Sequence, residues 1–482
     1  MPRSSRRLPA PLSWPGLCAL ASLVAGCAAP APAPAPAVAV PAAFREGIAW
    51  VPAPGQAQAL PADWWRACGD SRLDALEAQA SNANPTLDAA RAVRDQARAA
   101  VAESQASLWP TLSLQASSTR RRDATYSTRT RSLDQYVWSH SEYGLDASWE
   151  PDVWGQLGDA VKAGRARAQA DDAALAGARL GVAALVAATY FDLRQMDADL
   201  ALRAQVRELV ARERAMTEAD LTRGRASRDD LRRADIALDD QDVRLALLRR
   251  ERAASEHALA ALLGQPAAGF QLEPSADDRY TDVQAPPTLP SALLARRPDV
   301  QRALAAVRAA DFDQAAARAA WFPQIMLGGS IGGSIGGAGS RLFQLMQLPV
   351  RLWSVGPAVA ATLVDGGARQ SRLDAAQARR DEAVALYRAS VLAAFQEVED
   401  LLSARREALL RDRAAEAVYL QEQALLDGYV KRRAVGLASL RDEMEARREA
   451  LEARQSWIDG RHETRQTELL LIKAIGGGWE AP

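Results

Sequence analysis

The residues of this chain best suited to chemistry are few and far apart. His140, His257 and His462 share no spacing that would hold a metal, and none has a cysteine nearby. Gly328-Gly329-Ser330-Ile331-Gly332-Gly333 has the glycine content of a dinucleotide loop. No helix or ribose-binding acid follows it in register, so its glycines read as places where a strand bends. With no cluster of titratable side chains, no catalytic residue, metal or cofactor is expected, and the chain does not read as an enzyme.

One cysteine does have a chemical setting. Arg3, Arg6 and Arg7 precede an apolar run that ends in Leu23-Val24-Ala25-Gly26-Cys27. The pattern resembles a bacterial lipoprotein signal, which makes residues 1–26 a removable signal peptide and Cys27 the lipidated first residue of the mature chain. An ordinary secretory signal that happens to contain cysteine is the alternative. Ala28 is not the aspartate associated with retention in the inner membrane, which favours anchoring in outer membrane lipid. Residues 27–60 read as anchor and tether, with a stiff Pro/Ala run over 28–41. Cys18 leaves with the signal and Cys27 carries the lipid, so Cys68 has no disulfide partner and reads as a packing residue. Losing the signal's three arginines moves the formal net charge from −1 to −4, a balance that does not point to nucleic acid as a partner.

The elements that must position everything else are long helices. Asp365 to Gly476 contains no proline and has one strong break, at Val435-Gly436-Leu437-Ala438-Ser439. Val384, Tyr387, Val391, Phe395, Val398 and Leu402 recur in steps of three and four, the seam of a helix packing in coiled-coil fashion. Gly366 to Gly436 spans 70 residues, roughly 105 Å at about 1.5 Å per residue. Asp152 to Gly264 also lacks proline and breaks at Arg223-Gly224-Arg225-Ala226-Ser227. Pro85 and Pro298, Pro110 and Pro323, and Asp152 and Asp365 are each 213 apart; Gly224 and Gly436, and Gly264 and Gly476, are 212 apart. Agreement of both prolines and glycines argues for a duplicated unit, 61–264 and 291–482, joined by a linker at 265–290.

Each leading helix ends at an aromatic-proline pair, Trp109-Pro110 or Phe322-Pro323, where proline stops a helix. The period then changes. Leu112, Leu114 and Ala116 alternate with Thr111, Ser113, Gln115 and Ser117, and Tyr143, Leu145, Ala147 and Trp149 with Glu142, Gly144, Asp146 and Ser148. In the second half Ile325, Leu327, Ile331 and Ile335 alternate with Gln324, Ser330 and Ser334, and Trp353, Val355, Val359 and Leu363 with Ser354, Gly356, Ala358 and Ala360. This predicts strands over about 111–119, 138–150, 324–336 and 352–364, each apolar on one face. A soluble β-sandwich would show the same alternation. The lipoprotein signal, the lack of any apolar helix after residue 26 long enough to span a bilayer, and hairpin pairing within each half favour transmembrane barrel strands. Arg120 to Gln135, with Arg120, Arg121, Arg122, Arg129 and Arg131, reads as a long polar loop on the outside face. Four strands cannot close a barrel, about eight being the smallest number. An open sheet edge in lipid is prohibitively costly, so several copies must pool their strands.

The chain resembles the outer membrane efflux proteins of the TolC and OprM type, in the lipoprotein branch often called NodT, over about residues 60–478. The resemblance rests on Asp63-Trp64-Trp65, Asn84-Pro85, Trp109-Pro110, Trp149-Glu150-Pro151-Asp152-Val153-Trp154-Gly155, Arg297-Pro298-Asp299-Val300, Phe322-Pro323, Leu363-Val364-Asp365-Gly366-Gly367 and Val435-Gly436-Leu437-Ala438-Ser439, in this order. It implies a mainly α fold carrying a transmembrane β-barrel: a homotrimer with a twelve-strand barrel in the outer membrane and a long periplasmic α-barrel. The lower end would dock a periplasmic adaptor protein joined to an inner membrane pump, and small molecules such as drugs would leave through the lumen.

The resemblance also assigns roles to residues. Arg223, Gly224 and Ser227 in the first half, and Val435, Gly436, Leu437 and Ser439 in the second, match the hairpin tips that dock the adaptor. The two arginines of the first tip depart from the family pattern. Asp442 and Glu445 match positions that form an acidic constriction at the periplasmic mouth, where carboxylates on one axis would attract cations and narrow the pore. Solvated carboxylates on a charged helix are the alternative reading. Arg233, matching Glu445 in the first half, is a candidate tether for it. Pro110, Gly155, Pro323, Gly366 and Gly367 mark structural turns between strands and helices. The rival function is a coiled-coil structural lipoprotein without transport activity, which would not need amphipathic strands at matching places in both halves.

Overall fold

Proline and glycine punctuation sets the order of elements. The structure, a computed structural model, describes residues 39–47, 61–127, 129, 132–275, 284–288, 290–337 and 351–478. Cys27, Arg131, the signal peptide and parts of the tether and linker lie outside the described residues. In the first half, helices α1 (Ser71–Ala83) and α2 (Pro85–Ala106) precede strands β1 (Thr111–Ser127) and β2 (Ser132–Trp149), then helices α3 (Gln156–Thr222) and α4 (Arg228–Leu262). In the second, α5 (Pro290–Arg296) and α6 (Pro298–Ala319) precede β3 (Gln324–Gly337) and β4 (Arg351–Ala360), then α7 (Ala368–Ala434) and α8 (Leu440–Ala474). Helices α3 and α7 have 67 residues each, α4 and α8 have 35 each, and α2 and α6 have 22 each.

The chain divides into two compact units. One includes Gln96–Ala168 and Ala305–Ala385, the other Ala37–Asp95, Gln169–Leu304 and Leu386–Pro482.

The first unit holds a four-stranded antiparallel meander in the order β1-β2-β3-β4. Its register keeps every apolar position of the alternation on one face. Leu114 lies opposite Leu145, Leu145 opposite Ile331, and Ile331 opposite Trp353. The other face carries Ser113 opposite Asp146, Asp146 opposite Ser330, and Ser330 opposite Ser354. Leu112, Leu114, Ile331, Trp353 and Val355 are all exposed in the single chain. At the helix end of the sheet, the Trp149 indole donates to Leu108 O (2.9 Å) and the Trp154 indole to Pro323 O (2.7 Å), with Trp154 stacked on Phe322.

Two strand boundaries differ from expectation. β1 and β2 continue to Ser127 and from Ser132, so Arg120, Arg121 and Arg122 belong to a strand and not to a loop. Backbone pairing does not depend on side-chain polarity, so the ladder runs on where the apolar alternation stops. β4 ends at Ala360, short of Leu363, because its partner begins at Gln324 directly after Pro323 and offers no further backbone to pair. A third expectation also fails. Helix α3 contains an 18-residue stretch apolar enough by composition to cross a bilayer, and half of that stretch is buried inside the protein. Its burial is that of a core helix packing on its neighbours.

The second unit is built on a core of Trp64, Leu73, Leu76, Tyr190, Phe191, Leu193, Leu259, Leu263, Leu293, Val398, Leu402, Leu471 and Ile472, with Cys68 packed among them. Asp70 starts α1 by accepting from Arg72 N (2.8 Å) and Leu73 N (3.3 Å), an N-cap. After the tether, Phe44 inserts into this core, and Glu399 accepts from Arg45 N (2.7 Å) and Glu46 N (2.9 Å).

Candidate functional site

The two helical hairpins turn by the same local device. α3 ends with Gly224 at φ +72° and α7 with Gly436 at φ +78°, a conformation glycine adopts without Cβ strain. Gly224 N donates to Leu221 O and Arg225 N to Asp220 O (3.0 and 2.8 Å); Gly436 N donates to Arg433 O and Leu437 N to Arg432 O (3.0 and 2.8 Å). These are paired Schellman bonds that satisfy the last helical carbonyls. Each following helix then opens with a capping box, Ser227 with Asp230 and Ser439 with Asp442. Asp442 accepts from Ser439 N (2.8 Å), and Ser439 Oγ accepts from Asp442 N (3.1 Å). That backbone donor holds the Asp442 carboxyl below its ordinary range, as the Ser227 hydroxyl and backbone do for Asp230.

Side chains distinguish the tips. At the first, Arg225 Nη2 lies 2.8 Å from the Asp220 carboxylate, and Arg441 from the second tip lies 3.9 Å from the same group. Asp220 occupies a helix C-terminus, where negative charge is disfavoured; the Arg225 hydrogen bond is the main influence holding its carboxyl low. At the second tip the buried Glu443 receives Arg433 (2.6 Å) and Arg447 (3.4 Å), tying the end of α7 to the start of α8. Leu437 is 78% exposed and Val435 70%, so the second tip presents apolar side chains to solvent.

Asp442 and Glu445 stand one helical turn apart on one side of α8, both exposed. Glu445 lies 3.9 Å from Arg448, which also reaches Glu213 on α3 at 3.7 Å. Arg233 bonds Asp230 on its own helix at 2.9 Å and not Glu445. Further along, α3 and α8 meet through polar groups. His462 Nε2 lies 2.8 Å from Asp192, Gln466 donates to Asp192 (2.8 Å), Gln195 donates to Asp459 (2.7 Å), and Gln455 bonds Asp199. Burial, above all, pushes the Asp199 carboxyl up to about 6.

The sequence matches the outer membrane efflux protein family over residues 76–265 and 289–477, one stretch in each half. The chain belongs to that family. Outer membrane protein OprJ of Pseudomonas aeruginosa is 30% identical over 448 residues, 90% of each chain. Cation efflux system protein CusC of Escherichia coli is 29% identical over 338 residues, covering 70% of this chain and 72% of the relative. The CmeC outer membrane channel of Campylobacter jejuni shares the fold, with TM-score 0.82 and 22% identity over 94% of this chain and 96% of that one. The expected resemblance, the mainly α fold with strands and the outer membrane location are therefore met, and the protein is an outer membrane component of an efflux system.

Within this efflux protein the turns at Gly224 and Gly436 lie where the sequence placed them, and Ser227 and Ser439 cap the helices that follow. The ion pairs of Glu443, Asp220 and Arg441 went unforeseen. So did the α3–α8 polar seam, since its partners are separated by more than 250 residues, as in Gln195 to Asp459. The weak advance signal was Arg432-Arg433 before the break and Glu443 after it.

Proposed function

We propose that three copies of this chain form the exit duct of a tripartite efflux pump, exporting small molecules from a periplasmic adaptor and inner membrane pump to the exterior. One observation carries this reading. The sheet has one apolar face and one polar face, and among the described residues its outer strands β1 and β4 each leave one edge unpaired. Such a sheet is stable in lipid only when both edges are paired, and three copies supply twelve strands, within the range of closed membrane barrels. The apolar face then meets lipid and the polar face lines the lumen. Lipidated Cys27 anchors the chain in the same membrane. The tips at Arg223, Gly224 and Ser227 and at Val435, Gly436, Leu437 and Ser439 are the adaptor-docking ends, and Asp442 and Glu445 line the periplasmic aperture. The duct carries no catalytic residue and performs no chemistry on its cargo.

The native mass of the protein extracted from outer membranes in mild detergent tests the assembly. A trimer is expected, and a monomer would overturn the duct in favour of a structural stalk. Loss of the aperture charges in Asp442→Asn with Glu445→Gln should lower cation preference in single-channel recordings; unchanged conductance and selectivity would remove the gate.

A further inference from the structure

The apolar face of the sheet ends in arginine. Along β1 the side chains on that face are Leu112, Leu114 and Ala116, then Ser118, Arg120 and Arg122. Across from them on β2 stand Ala147, Leu145 and Tyr143, then Ser141, Ser139 and Val137. The switch from apolar to polar falls at the Ser118–Ser141 pair, whose hydroxyls are 2.8 Å apart. From Pro110, level with Trp149, to Arg120 is ten residues, about 34 Å along a strand. At the usual barrel tilt that is a height of about 25 Å, the thickness of the apolar band of an outer membrane barrel. Trp149 marks the periplasmic end of the band, and Arg120 and Arg122 sit just past its far end.

We infer that Arg120 and Arg122 form a binding site for the phosphate groups of the phosphorylated glycolipid in the outer leaflet. This rests on the membrane-barrel reading above. Both side chains are exposed, and the alternation sends both to the lipid-facing side. Two residues apart on one strand, they project about 7 Å from each other, close enough to grip one headgroup. The guanidinium fork matches phosphate oxygens bidentately, which an ammonium does not. Arg121, between Arg120 and Arg122, belongs to the opposite face, where its guanidinium lies 4.5 Å from the centre of the Trp138 ring. Arg121 is thus no part of the site.

The test uses the full chain purified from outer membranes in mild detergent and titrated with bisphosphorylated lipid A, counting bound lipid per assembly by native mass spectrometry. Arg120→Gln with Arg122→Gln should weaken retention about tenfold or more, the scale expected for losing charge-assisted bonds. Arg121→Gln should leave it unchanged. Wild-type protein should bind enzymatically dephosphorylated lipid A as weakly as the double variant binds the phosphorylated form, and inorganic phosphate should not displace the lipid. Equal retention by the double variant, or equal binding of phosphate-free lipid by the wild type, would overturn the site. The same spectra report assembly. A wild-type monomer removes the barrel and the site together, whereas a trimer with unchanged lipid count removes the site alone.

Discussion

In the first half of the chain Asn84 donates to Leu262 O (2.7 Å), fastening the start of α2 to the last turn of α4. In the second half Arg297, at the matching place before proline, donates to Ala474 O (2.9 Å) at the last turn of α8 and also holds Asp299 and Glu397. Behind these fasteners Gly264 and Gly476 leave their helices at φ +69° and +95°. A Cβ on either would collide with the carbonyl oxygen of Ala83 or Arg296, themselves a matched pair. The backbone contacts are the same in both halves while the side chains that lock them have changed. Glycine positions and helix lengths cannot drift without breaking the packing. Fasteners can, because an amide or a guanidinium can satisfy one carbonyl equally well.

The strongest way to break this comparison is to add the forbidden Cβ. Gly264→Ala and Gly476→Ala combine a left-handed backbone with a collision against backbone, which can be relieved only by moving a helix end. Each should cost about 3 kcal/mol or more. Thermal unfolding of the two variants should show matched losses. A loss in one half only would mean that the halves are not equivalent at this clasp.

Much of this architecture is legible in the sequence because its determinants are local. Pro85, Pro110, Pro298 and Pro323 stop helices wherever they fall, and Gly224 and Gly436 end them with partners only three to five residues away. Period-two alternation revealed which residues share a sheet face, since that depends on the pleat alone. What could not be read is whatever distant chemistry decides. Asp197 is almost fully buried and accepts from Arg252 (2.6 Å) and from Ser275 N (3.0 Å), fixing the segment after α4. Nothing near Asp197 in sequence predicts those partners. The end of β1 is hidden in the sequence for a related reason. A strand is held by its neighbour, and the run Arg120-Arg121-Arg122 looks like loop until Ser139, Trp138 and Val137 are placed opposite it.

The tips sharpen the comparison at lower energy. Glu443 is buried between two arginines, whereas Asp220 is partly open to solvent. Glu443→Gln should therefore loosen the second tip by about 2 kcal/mol, and Asp220→Asn should loosen the first far less, because water screens that pair. Hydrogen exchange should quicken over residues 430–447 in the former and barely change over 218–230 in the latter. Equal effects would contradict the buried clamp.

Where the halves meet, along α3 and α8, the difference becomes pH-dependent. Asp199 is pushed up to about 6 by burial, although the Gln455 hydrogen bond opposes the shift. The folded seam therefore holds a proton that the unfolded chain releases near pH 4. Stability falls as pH rises from about 4 to about 6 and stays lowered above that, so acidification from pH 7 to pH 5 should tighten the seam. Discounted for partial exposure, the effect is on the order of 1–2 kcal/mol. Asp199→Asn should stabilise the protein at pH 7 and flatten this part of its pH profile. A variant whose profile matches wild type would show that Asp199 is ionised in both states.

The smallest expected effect separates capping from gating. Ser227→Ala and Ser439→Ala each remove the same capping hydroxyl and should each cost about 1 kcal/mol, read as faster exchange in the first turns of α4 and α8. Asp230 and Asp442 have equivalent caps, and both carboxyls are held below the ordinary range. Their capping contribution is present above the ordinary carboxylate pKa and is lost as pH falls through the lowered folded value. Asparagine retains a side-chain acceptor for the serine N–H but removes the charge. If Asp442 is only a cap, Asp442→Asn and Asp230→Asn should behave alike, with little change in conductance. If it also lines the aperture, Asp442→Asn alone should reduce cation preference, because the two positions share a capping box and the additional Arg233 ion pair of Asp230 bears on local stability, not on conductance.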